Sequence, residues 1–284
     1  MMIKLCAFAD EADSSLDGQI AALKRNNIPY LELRSIAGKN VRDFSLDEAR
    51  EYAKILTENG IAVWSIGSPI GKVGIDVYMD AYMKDVRHVC ELAKIFSTSR
   101  IRMFSFFHAY EKREIVMAYL QNMVDVAKEY GVELYHENEK DIYGDTLERV
   151  QDIMSSVDGL KYIYDPANYL QCDVPAEKTI AALVDKTDYF HIKDVIVATG
   201  ELVPAGYGDG HIDELVAKMK GDKVLTLEPH LAVFDAYASI DNTEMKHKFH
   251  FTSNNEAFDC AVKAIKEILV KAGYKEITGG FEKV

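Results

Sequence analysis

Eight times along this chain a short run of β-forming residues gives way to a longer amphipathic stretch. That alternation constrains the fold more than any other feature. The β-like runs fall at 3–9, 30–34, 61–66, 101–106, 131–139, 161–165, 188–192 and 224–228. Helical patterns follow them at 15–26, 45–59, 75–96, 112–130, 146–155, 175–184, 211–220 and 255–272. Some boundaries carry their own chemistry. Ser45-Leu46-Asp47-Glu48 is a capping box, in which the serine accepts from the first turn and the glutamate reaches back, and Asn59-Gly60 closes the same helix. Repeated β-α units imply parallel strands joined by right-handed crossovers. Eight of them favour a closed barrel over a doubly wound sheet. The expected architecture is therefore α/β, a single (β/α)8 TIM barrel occupying 1–284 as one domain. No G-x-G-x-x-G opens the first helix, which weakens a dinucleotide-binding alternative.

Composition narrows the function. The formal net charge of −13 argues against a nucleic-acid partner, which would need clustered Lys and Arg. It suits anionic membranes poorly, and no apolar run reaches the length of a membrane span. Cys6, Cys90, Cys172 and Cys260 are widely spaced and form no C-x-x-C pair, so neither a disulfide framework nor a zinc finger is expected. The apolar N-terminus runs at once into Asp10, Glu11 and Asp13, unlike a signal peptide. These features fit a cytoplasmic enzyme acting on a small molecule, with a homo-oligomer a fair expectation.

Four strands in succession end in an ionisable group: Glu137, Asp165, His191 and Glu228. In a barrel the C-terminal strand ends converge on one mouth. Three carboxylates gathered there would repel one another unless a cation held them. Three oxygen ligands with one imidazole suit a single divalent ion such as Mn²⁺, Mg²⁺, Co²⁺ or Zn²⁺. Side chains alternate along a strand, so Tyr135, Ile163, Tyr189 and Thr226 should face the barrel interior beneath that site. His136 then lies on the opposite strand face as a packed residue. Asn138 should fix a ligand or loop by hydrogen bonding.

Other motifs fall away. His136-Glu137 begins like H-E-x-x-H, but position 140 is Lys. Gly67 to Lys72 resembles a phosphate loop with a glycine spacing one short and Val73 where Ser or Thr is required; Lys72 can still reach a substrate. No G-x-S-x-G is present. His108, just past the fourth strand, can enter the mouth. Trp64, the only tryptophan, is expected to pack in the core. Gly206-Tyr207-Gly208-Asp209-Gly210 reads as a turn needing glycine geometry. The longest connection without evident structure, 229–254, contains Pro229, His230, Asp241, Asn242, His247, Lys248, Phe249 and His250, and such loops often serve as lids or binding loops.

Together, Glu137-Asn138, Asp165-Pro166-Ala167-Asn168, His191-Ile192-Lys193-Asp194 and Glu228-Pro229-His230 resemble the xylose isomerase-like TIM-barrel superfamily, in particular its sugar phosphate isomerase/epimerase group. Ser65 to Pro69 and Gly206 to Asp213 support the likeness. The resemblance implies one Mn²⁺-like ion held by Glu137, Asp165, His191 and Glu228. It also implies that Glu137 and Glu228 act as an acid/base pair on opposite faces of the substrate. Many members carry His where this chain has Asn168. That departure weakens a trinuclear zinc site, and Asn168 becomes a group that orients a substrate hydroxyl. Lys193 is either a proton donor or the ion-pair partner of Asp194 or another rim acid.

The expected activity is metal-dependent isomerisation or epimerisation of a sugar or sugar-derived keto compound through an enediolate, with His108, Asn168, Lys193 and Lys72 contacting substrate. The alternatives are a lyase of the inosose dehydratase type and a non-catalytic sugar-binding subunit. Without an evident Arg cluster beyond Arg34 and Arg102, an unphosphorylated substrate is favoured.

Overall fold

The computed structural model describes residues 1–232 and 249–284. Eight strands form the barrel: β1 (Met2–Ala7), β2 (Tyr30–Leu33), β3 (Ala62–Ile66), β4 (Arg100–Met103), β5 (Glu133–Glu137), β6 (Lys161–Tyr164), β7 (Tyr189–Ile192) and β8 (Lys223–Leu227). Each pairs in parallel with the next, and β8 closes onto β1 from Ile3↔Lys223 to Ala7↔Leu227. Around them run α1 (Leu16–Arg25), α2 (Leu46–Glu58), α3 (Met79–Ile95), α4 (Arg113–Glu129), α5 (Leu147–Ser156), α6 (Ala176–Leu183), α7 (Ile212–Lys218) and α8 (Asn254–Lys271). The expected (β/α)8 barrel is thus present, with element boundaries shifted by a few residues.

Local chemistry accounts for several of these starts. The Ser45 side chain accepts from the Glu48 amide at 3.2 Å, while Glu48 accepts from the Ser45 amide at 2.7 Å, so both halves of the capping box form. Lys39 adds an ammonium on the same carboxylate at 2.8 Å. Ser15, Thr146 and Ser253 cap α1, α5 and α8 in the same way. The helices bury apolar faces such as Val86, Val89, Cys90 and Ala93 of α3 against the sheet. Among the described residues no helix is long and apolar enough to cross a membrane.

Inside the barrel lies a small separate core of Cys6, Ile163, Tyr189 and Val224, with Tyr30, Trp64 and Tyr135 packed against it from the N-terminal end. Because the strands tilt, groups at one height along the barrel axis are not in register. Glu137 is in register with Ile163, two residues before Asp165. The β6–β7 register, Tyr164↔Phe190, puts Asp165 level with His191. His191 is in register with Thr226, two residues before Glu228. The stagger carries four strand-end side chains to one place.

Four features escaped the sequence reading. The last residues form a hairpin, β9 (Tyr274–Ile277) and β10 (Gly280–Lys283), whose second strand runs antiparallel to the lower half of β1. Gly280 permits this approach, since a Cβ there would sit 2.3 Å from the Ile3 carbonyl oxygen. Two-stranded ribbons at 35–40 and 194–203 flank the barrel mouth. A short helix, Pro166–Leu170, starts on Asp165 itself. Of the 229–254 connection, 233–248 lie outside the described residues, and with them Asp241, Asn242, His247 and Lys248.

Candidate metal centre

Glu137, Asp165, His191 and Glu228 meet at the C-terminal mouth, each offering one ligand atom, all within 4.8 Å of one another and all buried. His191 is central. Its Nδ1 lies 2.8 Å from Glu137 Oε1 and 3.0 Å from Glu228 Oε2. Its Nε2 lies 3.1 Å from Glu32 Oε2, and the Tyr189 hydroxyl donates to the same oxygen. Burial opposes charge on the imidazole, but Glu137 and Glu32 prevail and hold its pKa well above the usual histidine value. Without a metal cation, the imidazolium itself offsets the surrounding carboxylates.

Backbone chemistry aims Asp165. Its Oδ1 accepts from the Asn168 amide at 2.9 Å as the N-cap of the short helix, leaving Oδ2 toward the centre. Asn138 clamps the Asp165 peptide from both sides, its amide donating to the Asp165 carbonyl and its oxygen accepting from the Asp165 amide, each at 2.9 Å. Asn168 in turn donates to the Asn138 carbonyl at 2.9 Å. Asn168 Nδ2 is thus spent on the scaffold, and only its Oδ1, buried and without a partner, is left for a hydroxyl.

The fit to a divalent cation follows from the unsatisfied atoms. Asp165 Oδ2 and Glu228 Oε2 are buried and accept no well-directed hydrogen bond. Both residues belong to the converging set, together with His191 and Glu137. Buried anionic oxygens left in this state are costly. A hard or borderline cation with oxygen and imidazole preference satisfies all four at once. Glu32 would then fix the imidazole by accepting its Nε2–H, so that the Nδ1 lone pair faces the cation.

A second ring of charge surrounds this set. Arg102 Nη1 lies 3.2 Å from Glu137 and 3.5 Å from Glu228, bridging the two glutamates. Arg34 is bound to Asp10 at 2.9 Å, Glu11 at 3.2 Å and Glu228 at 3.0 Å. Both guanidiniums rest on the Phe8 ring, at 4.3 and 4.9 Å, and Phe8 also meets His191 edge-on. Burial raises Glu11 to about 8 although Arg34 pulls it down. Burial likewise raises Glu228, but Lys193 and His191 win and hold it well below the usual carboxylate value.

Of the residues expected to contact substrate, two join this network. Lys193 lies 3.1 Å from Asp165 Oδ2; burial disfavours its charge, but Asp165 and Glu228 keep its pKa above the ordinary lysine value. Burial pushes Asp165 up to about 7 against the pull of Lys193. The Lys193–Asp194 pair does not form. Asp194 instead accepts from the amides of Gly206, Gly208 and Gly210 between 2.8 and 3.1 Å. A Cβ on Gly208 would sit 2.4 Å from that carboxylate, so the glycine turn is built around Asp194. Lys72 pairs with Glu139 at 2.9 Å beside Phe104. His108 stands apart: it is exposed, at φ 49, and its amide donates to the Asp141 carbonyl.

His136 packs as expected, stacked on Tyr162 with Nε2 2.9 Å from Ser105, and burial lowers its pKa to about 3. Trp64 packs against the small barrel core as expected, though it is only half-buried there, at the N-terminal end, with a guanidinium 3.8 Å from its ring centre. Sequence reasoning gave no role to Glu32 or Arg102 in the centre, and treated Asp10 and Glu11 only as the stop to an apolar run. The strand-end argument applied to β5–β8 would have found Asp10, Glu11 and Arg34 had it been extended to β1 and β2.

With the geometry in hand, the class is clear, because the sequence profile of the xylose isomerase-like TIM barrel family matches residues 20–242. The chain belongs to that family. No curated protein matches it in sequence. Among solved structures it is similar to the D-allulose 3-epimerase from Methylomonas sp. (TM-score 0.73, 14% identity, 94% of this chain and 98% of that one). It is also similar to the IolI protein with a bound zinc atom (TM-score 0.71, 17% identity, 95% and 99%). A third likeness is to the probable 3-DHS dehydratase AsbF from Bacillus anthracis (TM-score 0.71, 14% identity, 94% and 99%). At such identities the likeness is one of fold, and it extends over enzymes of more than one reaction type.

Proposed function

We propose that this chain is a divalent-metal-dependent isomerase or epimerase acting on an uncharged sugar or sugar-derived keto compound, by proton transfer at a carbon next to a carbonyl. The observation that carries the reading is the convergence of Glu137, Asp165, His191 and Glu228 on one buried point. These four residues would hold the ion, with Mn²⁺ the favoured metal and Zn²⁺, Mg²⁺ or Co²⁺ alternatives. When bound, the cation supplies positive charge that polarises a substrate carbonyl and acidifies the neighbouring C–H.

The rest is the work of side chains. Glu137 and Glu228 each turn one oxygen toward the centre and share Arg102 through the other. A proton accepted by either carboxylate frees Arg102 to compensate its neighbour, so removal on one side and return on the other cost no bare charge. Lys193 and Lys72 offer donors to substrate oxygens, and Asn168 Oδ1 an acceptor. Charge balance supports a neutral substrate. Asp10, Glu32, Glu137, Glu139, Asp165 and Glu228 outnumber the permanent cations Arg34, Arg102, Lys72 and Lys193, while burial keeps Glu11 largely protonated. A divalent ion would leave the mouth near neutrality, without a spare cation for phosphate.

One observation favours a second reading, dehydration. Lys193 is a buried ammonium at the edge of the site, placed to donate to a leaving hydroxyl, although the carboxylates that raise its pKa make it a weak acid until a cation relieves them. The test is solvent-deuterium incorporation into free ketoses, inososes and hydroxypyruvate, with Mn²⁺ added and products identified. Wild-type protein should label a substrate carbon, and E137Q and E228Q should not. Exchange that continues unchanged in both variants would sink the acid/base assignment. A dehydrated product would select the lyase.

A further inference from the structure

At the opposite end of the barrel the strand starts enclose a cavity of about 290 Å³. Its walls are aromatic, formed by Trp64, Tyr135 and Tyr189, with the rings of Trp64 and Tyr135 set edge-on to Tyr189 at 6.3 and 5.7 Å. Two cations share the Trp64 ring: Arg100 Cζ lies 3.8 Å from its centre and Lys4 Nζ 5.1 Å. Among the described residues, neither Lys4 nor Arg100 has a carboxylate within ion-pair distance, although the chain as a whole carries −13. Lys223 at the same rim differs, since its ammonium donates to Asp188 and to the Thr187 carbonyl. Asp222, the other rim acid, accepts from the Met2 amide. The Trp64 Nε1–H is buried and donates to nothing.

The buried group left unmet here is a donor, the indole N–H. Cation–π contact leaves the Lys4 ammonium and part of the Arg100 guanidinium free to donate, Arg100 also reaching the Tyr135 hydroxyl. A buried indole N–H without an acceptor is destabilising. What the cavity lacks is an acceptor-rich anion, and what its walls offer is flat apolar surface. Inorganic phosphate answers only the first need and a neutral arene only the second. The volume is adequate, because an apolar cavity of about 150 Å³ already takes benzene.

We propose that this N-terminal cavity is a second ligand site, selective for a small aromatic carboxylate whose anionic group meets Lys4 and Arg100 and whose ring lies on Trp64, Tyr135 and Tyr189. The site is independent of the metal centre.

Trp64 is the only tryptophan, so its fluorescence reports the cavity directly. The experiment titrates the full-length protein with benzoate, benzyl alcohol and inorganic phosphate, following Trp64 emission and confirming heats by calorimetry. Benzoate should saturate the signal, and the other two should bind at least tenfold more weakly. K4M and R100M, which keep apolar stems, should each weaken benzoate at least tenfold while unfolding cooperatively like wild type. D165N, which alters a metal ligand that touches neither Tyr189 nor its partner Glu32, should bind benzoate as wild type does. The absence of saturable benzoate binding, an equal response to benzyl alcohol, or unchanged affinity in the folded K4M and R100M variants would each overturn the proposal. Loss of benzoate binding in D165N would overturn the independence of the site.

Discussion

The two ends of this barrel treat charge in opposite ways. At the C-terminal mouth every permanent cation sits against carboxylates, and an imidazole is wedged among three of them. At the N-terminal mouth two cations lie on an indole with no carboxylate within ion-pair distance among the described residues. The first arrangement is a dense network in which each group fixes its neighbours and an anionic surplus remains for a metal. The second is sparse, and its groups are satisfied only by solvent or a ligand. In a barrel the strand ends that follow the C-terminal direction build chemistry, whereas the strand starts are ordinarily left to stability. The lower cavity departs from that division.

The contrast can be broken most directly at His191. Its imidazole touches Glu32, Glu137 and Glu228, so H191A should abolish metal retention, read by elemental analysis of protein purified without chelator. Wild type should carry about one divalent ion per chain. Metal-free protein that is still active would overturn the centre. Glu32 tests whether the upper network is cooperative. E32Q removes only the group behind the imidazole, and should weaken metal affinity about 10–100-fold by competition with a chromophoric chelator. Equal affinity would reduce Glu32 to packing.

A smaller effect is expected at Asn138, which pairs both backbone groups of Asp165. N138A should cost about 1–3 kcal/mol for each group left bare, read from the denaturant midpoint. An unchanged midpoint would mean the clamp is not needed. The smallest change is expected from W64F at the lower end, where metal affinity should stay within twofold. A larger shift would show that the two ends are less separate than their charge patterns suggest.

Much of the upper site was legible because barrel topology turns sequence position into spatial position. Glu137, Asp165, His191 and Glu228 are each the last or next residue of an apolar run, and closure does the rest. The capping box at Ser45 was legible because both its bonds are local. What stayed hidden depends on partners that closure selects. Lys193 pairs with Asp165 on the neighbouring strand end, while its sequence neighbour Asp194 is claimed by three glycine amides more than ten residues away. Arg102 reads as a strand charge until β5 and β8 bring Glu137 and Glu228 beside it. The β9–β10 hairpin was missed because its strands are short and its pairing is with the far end of the chain.

Tyr189 gives the barrel axis a further meaning. Its ring forms part of the lower wall, and its hydroxyl donates to Glu32, which faces the imidazole of His191. One rigid side chain therefore borders both ends. Equilibrium thermodynamics makes any communication through it symmetrical: a molecule below that changed the hold on the cation above would itself be held more or less firmly by the same factor when the cation arrives. Measuring either affinity in the presence and absence of the other partner thus yields one number twice, and agreement between the two is an internal check on both.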